Sequence, residues 1–384
     1  MGACCASSCE EVEDVMKKTG LCLPLMVFFA CLPARAQTSP YPPSTVITGV
    51  TFDWGTWKKT APGSDNWVIT WADDGHQYTS WGDGGGFGGT NTDGRVSLGV
   101  ARVEGEKSNF TGYNRWGGKD PEFPAQFEGK SFGIISINDV LYMWVSPGSD
   151  GMNYTEVRMA VSTDHGAHWS LSSWRFTSAQ NLAIPTILQF GKAYAGARDG
   201  YVYHYFIHPV ETAALAIQKP GRIYLARVPS NQMMNQSAYE FVSGFSGGQP
   251  IWSGDVSRKV PVFQDTANGV GWTVSVSYNA GLRRYLLITE HTSTYLDAGN
   301  IGIFDAPEPW GPWTTVLYQT PWEGPTRKCF FWNFSNKWLS GDGKSFVLVF
   351  TAQDRWNSVE GTFTVTSGST NKPPTANAGP DLTT

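Results

Sequence analysis

Five times along the chain a run of apolar, β-branched and aromatic residues meets a tight Asn/Asp/Gly turn and is followed by a second such run. The first hairpin is Trp67-Val68-Ile69-Thr70-Trp71, the turn Asp73-Asp74-Gly75, then Tyr78-Thr79-Ser80-Trp81. The second turns at Asn138-Asp139, the third at Asp199-Gly200, the fourth at Asn279-Ala280-Gly281 and the fifth at Asp342-Gly343. Asp and Gly tolerate positive φ, so such turns between strand-forming runs are strong hairpin signals. A third apolar run follows each hairpin. Leu98, Arg158, Ile223, Ile301 and Glu360 mark these runs at intervals of 60, 65, 78 and 59 residues. A small sheet repeated at that period must bury its faces on its neighbours, which predicts an all-β, five-bladed β-propeller.

Composition supports many short strands. The chain has 384 residues, 14% aromatic and 16% charged, with 43 Gly and 23 Pro. A net charge of −5 without a basic run argues against a nucleic-acid partner. Met16-Lys17-Lys18, an interrupted apolar stretch and Ala34-Arg35-Ala36 predict a signal peptide over residues 1–36. Residues 1–15 fit no part of that signal, which places the expected start at Met16. The stretch is too short to span a membrane. Cys31 as a lipidated residue is the rival, but Phe28-Phe29-Ala30 matches that pattern poorly. Export predicts a secreted protein, extracellular or periplasmic, and expected to be a monomer. Residues 37–44 read as a linker, 45–366 as the propeller and 367–384 as a polar tail. Only Cys329 remains after Gln37, so the expected mature chain forms no internal disulfide.

Functional residues of a propeller are expected just before each blade's first strand or just after its second. In the first blade those places hold Asp65 and Asp83, nine residues either side of Asp74. A regular hairpin sets them opposite one another, with Cα atoms roughly 4.5–5.5 Å apart. Two carboxylates that close divide their pKa values, one rising and one staying low, as an acid and a base or nucleophile of a glycosidase require. Read blandly, both are turn residues bonded to nearby backbone. Equivalent places elsewhere hold Lys130, Asn181, Asp265, Asn268, Lys337 and Asp354-Arg355-Trp356. Glu290 is the third candidate acid, beside His291, and His204 and Tyr205 lie late on a second strand. Trp116, Trp310, Trp313 and Trp322 are candidates to stack on sugar rings. The run 84–89 lacks the ending of a phosphate loop and reads as a rim loop. No zinc spacing or cofactor signature is present, and a structural Ca²⁺ in the channel would leave no mark in the sequence.

Two resemblances sharpen these expectations. Ser162-Thr163-Asp164-His165-Gly166-Ala167-His168-Trp169 matches the Asp-box of sialidase-like propellers, a structural turn motif. The string Asp65-Asn66-Trp67-Val68-Ile69-Thr70-Trp71-Ala72-Asp73-Asp74-Gly75, with Tyr78-Thr79-Ser80-Trp81-Gly82-Asp83-Gly84, resembles the opening of a secreted five-bladed propeller family that long carried a domain-of-unknown-function label and includes endo-D-arabinanases. Residues 337–346 resemble its last blade. The resemblance covers residues 45–366 and implies that Asp65 and Asp83 are the catalytic pair, as the first-hairpin carboxylates are in the arabinan-cleaving members. The tail string Pro373-Pro374-Thr375-Ala376-Asn377-Ala378-Gly379-Pro380-Asp381 resembles the start of a polycystic-kidney-disease-type module. Two other classes stay open: a lyase using His291 or Tyr205 with Lys337 and Arg355 against a uronate, and a propeller that binds glycan without cutting it.

Overall fold

A computed structural model describes residues 38–148, 154–210, 216–292, 299–324 and 328–366. The expected signal peptide (1–36) and the expected tail (367–384) lie outside these residues. The described chain folds as a five-bladed β-propeller.

The first strand in sequence, β1 (Ile47–Thr60), belongs to the last blade. Blade one is β2 (Asp65–Trp71), β3 (Gln77–Gly82), β4 (Leu98–Glu104) and β5 (Thr111–Trp116). Blade two is β6 (Gly129–Ile137), β7 (Val140–Pro147) and β8 (Glu156–Ser162), edged by the short β9 (Ser170–Leu171) and β10 (Phe176–Thr177). Blade three is β11 (Ala183–Ile187), β12 (Tyr201–Ile207), β13 (Arg222–Pro229), β14 (Glu240–Ser246), β15 (Gln249–Ser253) and β16 (Pro261–Gln264). Blade four is β17 (Val274–Asn279), β18 (Arg284–Glu290), β19 (Ile301–Ala306) and β20 (Thr314–Gln319). Blade five is β21 (Cys329–Phe334), β22 (Ser345–Ala352) and β23 (Trp356–Val365), completed by β1, so its order is β1-β23-β22-β21. Every ladder is antiparallel.

The innermost strands β2, β6, β11, β17 and β21 touch in ring order, and a hydrogen bond crosses each joint. Ser136 N–H donates to Thr70 Oγ1 (3.0 Å), and Gln189 Nε2 donates to the Ile134 carbonyl (2.7 Å). The Gln189 and Tyr278 amides exchange bonds with the Val276 and Gln189 carbonyls (3.0 and 2.8 Å). Ser275 Oγ donates to the Trp332 carbonyl, and Asn333 Nδ2 to the Trp67 carbonyl (2.9 Å). Buried polar side chains thus satisfy carbonyls that no ladder reaches.

Aromatic residues fill the wedges between blades. Trp67 stacks on Trp81 and meets Trp356 edge-on, joining blades one and five. Trp144 packs on His204 and Phe206, joining blades two and three. Trp116, Trp310, Trp313 and Trp322 are buried too, so none is a sugar platform on the described surface. The turn at residues 162–169 closes through Ser162 Oγ, which accepts from Gly166 N–H and bonds the Asp164 carboxylate.

Four of the five innermost strands share one irregularity. A register shift falls near the start of β2, β6, β11 and β21. Asn66, Ile184 and Phe331 have positive φ at three of these shifts. A β-bulge re-aims side chains, and here it does so where the strands enter the channel.

A chain begun at Ala61 lacks β1 and leaves β23 as an open edge beside a bared apolar face. It is expected to lose cooperative thermal unfolding and to aggregate, read by calorimetry and light scattering.

Candidate functional site

Each innermost strand starts, and each second strand ends, at the same mouth of the ring, which is where Asp65 and Asp83 lie. In β2 and β3 the regular pairs Trp71–Gln77, Thr70–Tyr78, Ile69–Thr79 and Val68–Ser80 centre on Asp74. The bulge at Asn66 and Trp67 then shifts the register by one, so Asp65 pairs with Gly82 rather than with Asp83. The expected opposition of the two aspartates is corrected by that one residue.

Gly82 leaves room for the group. A Cβ there would sit 3.0 Å from Asp65 Oδ1 and 3.3 Å from Lys130 Cδ. Asp83 follows in the left-handed region (φ 48°) and turns its carboxylate to two cations. Lys130 Nζ bonds Asp83 Oδ1, and Arg95 Nη2 lies 3.3 Å from the same oxygen. Lys130, the second residue of β6, is almost wholly buried, so its charge is directed at this pair with little water to screen it.

Asp65 differs in kind. Part of its surface reaches solvent, but its Oδ1 is sealed and has no hydrogen-bond partner among the described residues. Burial pushes its carboxyl well above the ordinary value, and the Asp83 charge pushes it further. Lys130 opposes that rise, Asp354 adds to it and Arg95 opposes it. Asp354 reaches this group from blade five because its carbonyl accepts the Gly63 and Ser64 amides (2.6 and 3.1 Å), docking the β22–β23 hairpin on the approach to β2. Asp65, Asp83, Arg95, Lys130 and Asp354 therefore form one electrostatic group. Arg95 escaped the sequence reading because it sits in the loop after β3. Its only signal is that the loop must return to start β4.

The remaining candidates lie elsewhere. Glu290 ends β18 at the mouth end of blade four, fully buried over Gly271, with both carboxyl oxygens lacking partners among the described residues. Burial alone raises its pKa, with no charged contributor, so it is not coupled to the aspartate pair. His291 is buried, stacks on Tyr318 at 3.7 Å and lies 3.0 Å from Thr320 Oγ1. Burial lowers its pKa to about 3. Asp265 is buried as well and holds the Tyr318 hydroxyl (2.6 Å) and the Asn268 amide (2.9 Å).

Four expected substrate contacts are corrected. His204 lies between blades, accepting from Trp144 Nε1 at 3.0 Å, with its pKa lowered to about 3 by burial. Tyr205 is buried and donates to the Pro309 carbonyl (2.7 Å). Trp356 is wholly buried against Trp67. Lys337 does not open blade five, since β21 does; it follows that strand, at the opposite end of the ring, and bonds the Gly105 carbonyl (2.9 Å). Arg355 is half-buried beside exposed Asp354, and Asn181 is exposed on the connection from blade two to blade three. Cys329 is a buried thiol with its pKa pushed up to about 12, unsuited to nucleophilic work. Among the described residues no cluster of three or more His, Cys, Asp or Glu could hold a metal, and no helix is long and apolar enough to cross a membrane.

Ring closure and a polarised carboxylate pair at one mouth define the class, a five-bladed β-propeller with a candidate acid–base site. Within that class the chain belongs to the family described as Domain of unknown function (DUF4185), which matches residues 133–327. That match spans most of blades two to four and includes neither Asp65 nor Asp83. No curated protein matches the chain. Among solved structures it is similar to the GH43_1 enzyme from Xanthomonas citri, at 14% identity and a TM-score of 0.47, over 79% of this chain and 90% of that one. It is also similar to the alpha-L-arabinofuranosidase PaAbf62A from Podospora anserina in complex with cellotriose, at 11% identity and 0.43, over 84% and 98%. A third is an exo-beta-1,3-galactanase from Phanerochaete chrysosporium, at 11% and 0.44, over 82% and 63%.

Glu290 gives a test of these electrostatics. The folded protein keeps its proton above pH 4.5, where the unfolded chain has released it, so folding stability falls as pH rises through that interval. In Glu290→Gln that dependence is gone. The Tm difference, variant minus wild type, is expected to grow more positive as pH rises above 4.5, in a calorimetric pH series.

Proposed function

We propose that the protein is a secreted glycoside hydrolase acting on an extracellular polysaccharide, arabinan-type or related. The observation that carries this reading is the unequal environment of two adjacent carboxyls. Asp65 is enclosed and proton-retaining, which suits a general acid for the glycosidic oxygen. Asp83 faces Lys130 and Arg95, which suits a carboxylate that activates water or attacks the sugar. Lys130 acts on both groups, holding the Asp83 charge and limiting the rise of Asp65. The family resemblance at residues 65–84 supports arabinan as the first substrate to try.

Three of the lyase alternative's four groups have other partners, which supports the hydrolase reading over it: Tyr205 is committed to the Pro309 carbonyl, Lys337 to the Gly105 carbonyl, and His291 is buried against Tyr318.

Asp65→Asn and Asp83→Asn, each folded as the wild type by circular dichroism, are expected to lose 10²–10⁴-fold in kcat on a cleavable glycan, on the order of a removed acid–base group. The wild-type rate is expected to fall as pH rises past the pKa of Asp65, because the acid form is then lost. Unchanged turnover in both variants ends the proposal. Binding without cleavage by the wild type, across arabinans, fructans and xylans, identifies a non-catalytic glycan-binding propeller instead.

A further inference from the structure

A cleft of about 530 Å³ opens on the same face, walled by residues 95–98 on one side and 125–128 on the other. Both walls lead to Asp83. The first begins with Arg95, 3.3 Å from the Asp83 carboxylate, and the Ser97 carbonyl accepts the Asp83 amide (3.3 Å). The second runs directly into Gly129 and Lys130, whose ammonium bonds Asp83. Gly129 N–H donates to Ser97 Oγ (3.2 Å), pinning the walls together at their inner end. A ligand lying in the cleft therefore has its inner end at the aspartate pair.

The lining fixes the chemistry. Half-buried Val96, Ala125 and Phe127 give apolar surface over the buried Leu98, and the Phe127 ring is braced at 5.0 Å by Trp116. Gln126 is anchored, since its Oε1 accepts from Trp116 Nε1 (2.6 Å) and Trp169 N–H (3.2 Å). Arg95 is engaged by Asp83 and by Asn91 Oδ1, and exposed Glu128 stands across from it. Apolar walls with a few fixed polar groups suit the C–H faces and hydroxyls of a sugar. A uronate would meet the Glu128 carboxylate and an arginine already in use.

We infer that this cleft is a chain-binding arm of the site, holding the part of an uncharged polyhydroxylated glycan that extends away from the aspartate pair past Asp83. The inference rests on the hydrolase reading and adds a position and a specificity to it. An arm of this kind favours long chains, because its binding energy is available only when sugar extends into it.

The test compares two neutral oligosaccharides with the same linkage: a six-residue oligosaccharide and a disaccharide too short to fill the cleft. Phe127→Ala is expected to lower the ratio of kcat/KM, six-residue oligosaccharide over disaccharide, about tenfold, the scale of one lost ring contact. Val96→Trp, which fills the cleft without removing the Phe127 brace, is expected to lower the same ratio. A ratio unchanged in both variants overturns the inference while leaving the hydrolase reading intact. Wild-type protein that cleaves neither substrate overturns the hydrolase reading. The cleft is then judged by calorimetric binding of the oligosaccharide, which Val96→Trp must weaken about tenfold if the inference is right. Equal binding by wild type and Val96→Trp overturns it. Oligouronates bound as tightly as neutral oligomers overturn the assignment of an uncharged ligand.

Discussion

A propeller has no central core; its blades must be held by a closed ring, and the chemistry at the mouth exists only if that ring closes. Here closure has two parts. Buried polar bonds from Ser136, Gln189, Ser275 and Asn333 tie each innermost strand to the next. At the seam, β1 pairs with β23, so the two ends of the described chain share one sheet. A buried hydrogen bond contributes modestly when made and costs more when one partner is orphaned, so each tie penalises an open ring. The seam lies beside blade one, where Trp356 packs on Trp67 and the Asp354 carbonyl holds the residues just before Asp65. The candidate acid is thus positioned across the closure itself.

The bulge near the start of four innermost strands turns this scaffold into a site. A regular ladder would place Asp65 against Asp83, two carboxylates with nothing between them. The extra residue at Asn66 places Asp65 against Gly82 instead, and Lys130 from the neighbouring blade enters the space a side chain would have filled. The two acids remain coupled but are no longer equivalent: one is enclosed, the other is held by cations. Such a division is what acid–base chemistry at a sugar requires, and it arises from two blades rather than one.

Burial explains why several attractive residues serve the fold. His204, Tyr205, Asp265 and Trp356 carry functional groups that would suit a glycan, yet each is spent inside the protein on a neighbouring blade or loop. Position along a strand shows height in the propeller but not which face a side chain takes, and a second strand has one face toward each adjacent blade. Lys337 is a different case. The aromatic run 329–334 is the first strand of blade five, so Lys337 follows that strand at the far end of the ring instead of preceding it at the mouth.

The repeat of hairpins, the five-blade count and the location of Asp65 and Asp83 at one mouth were legible because turn chemistry and strand patterning are local, governed by φ preferences and side-chain alternation within a few residues. The strand β1 was not legible as a member of blade five, nor Arg95 and Lys130 as joint partners of Asp83, because those relations depend on contacts between segments from 12 to some 300 residues apart. A division of proton affinity within the pair was expected from proximity alone, but which aspartate keeps the proton belongs to the same category. A carboxyl's proton affinity follows from its burial and its charged neighbours, and both are fixed only once the ring has closed.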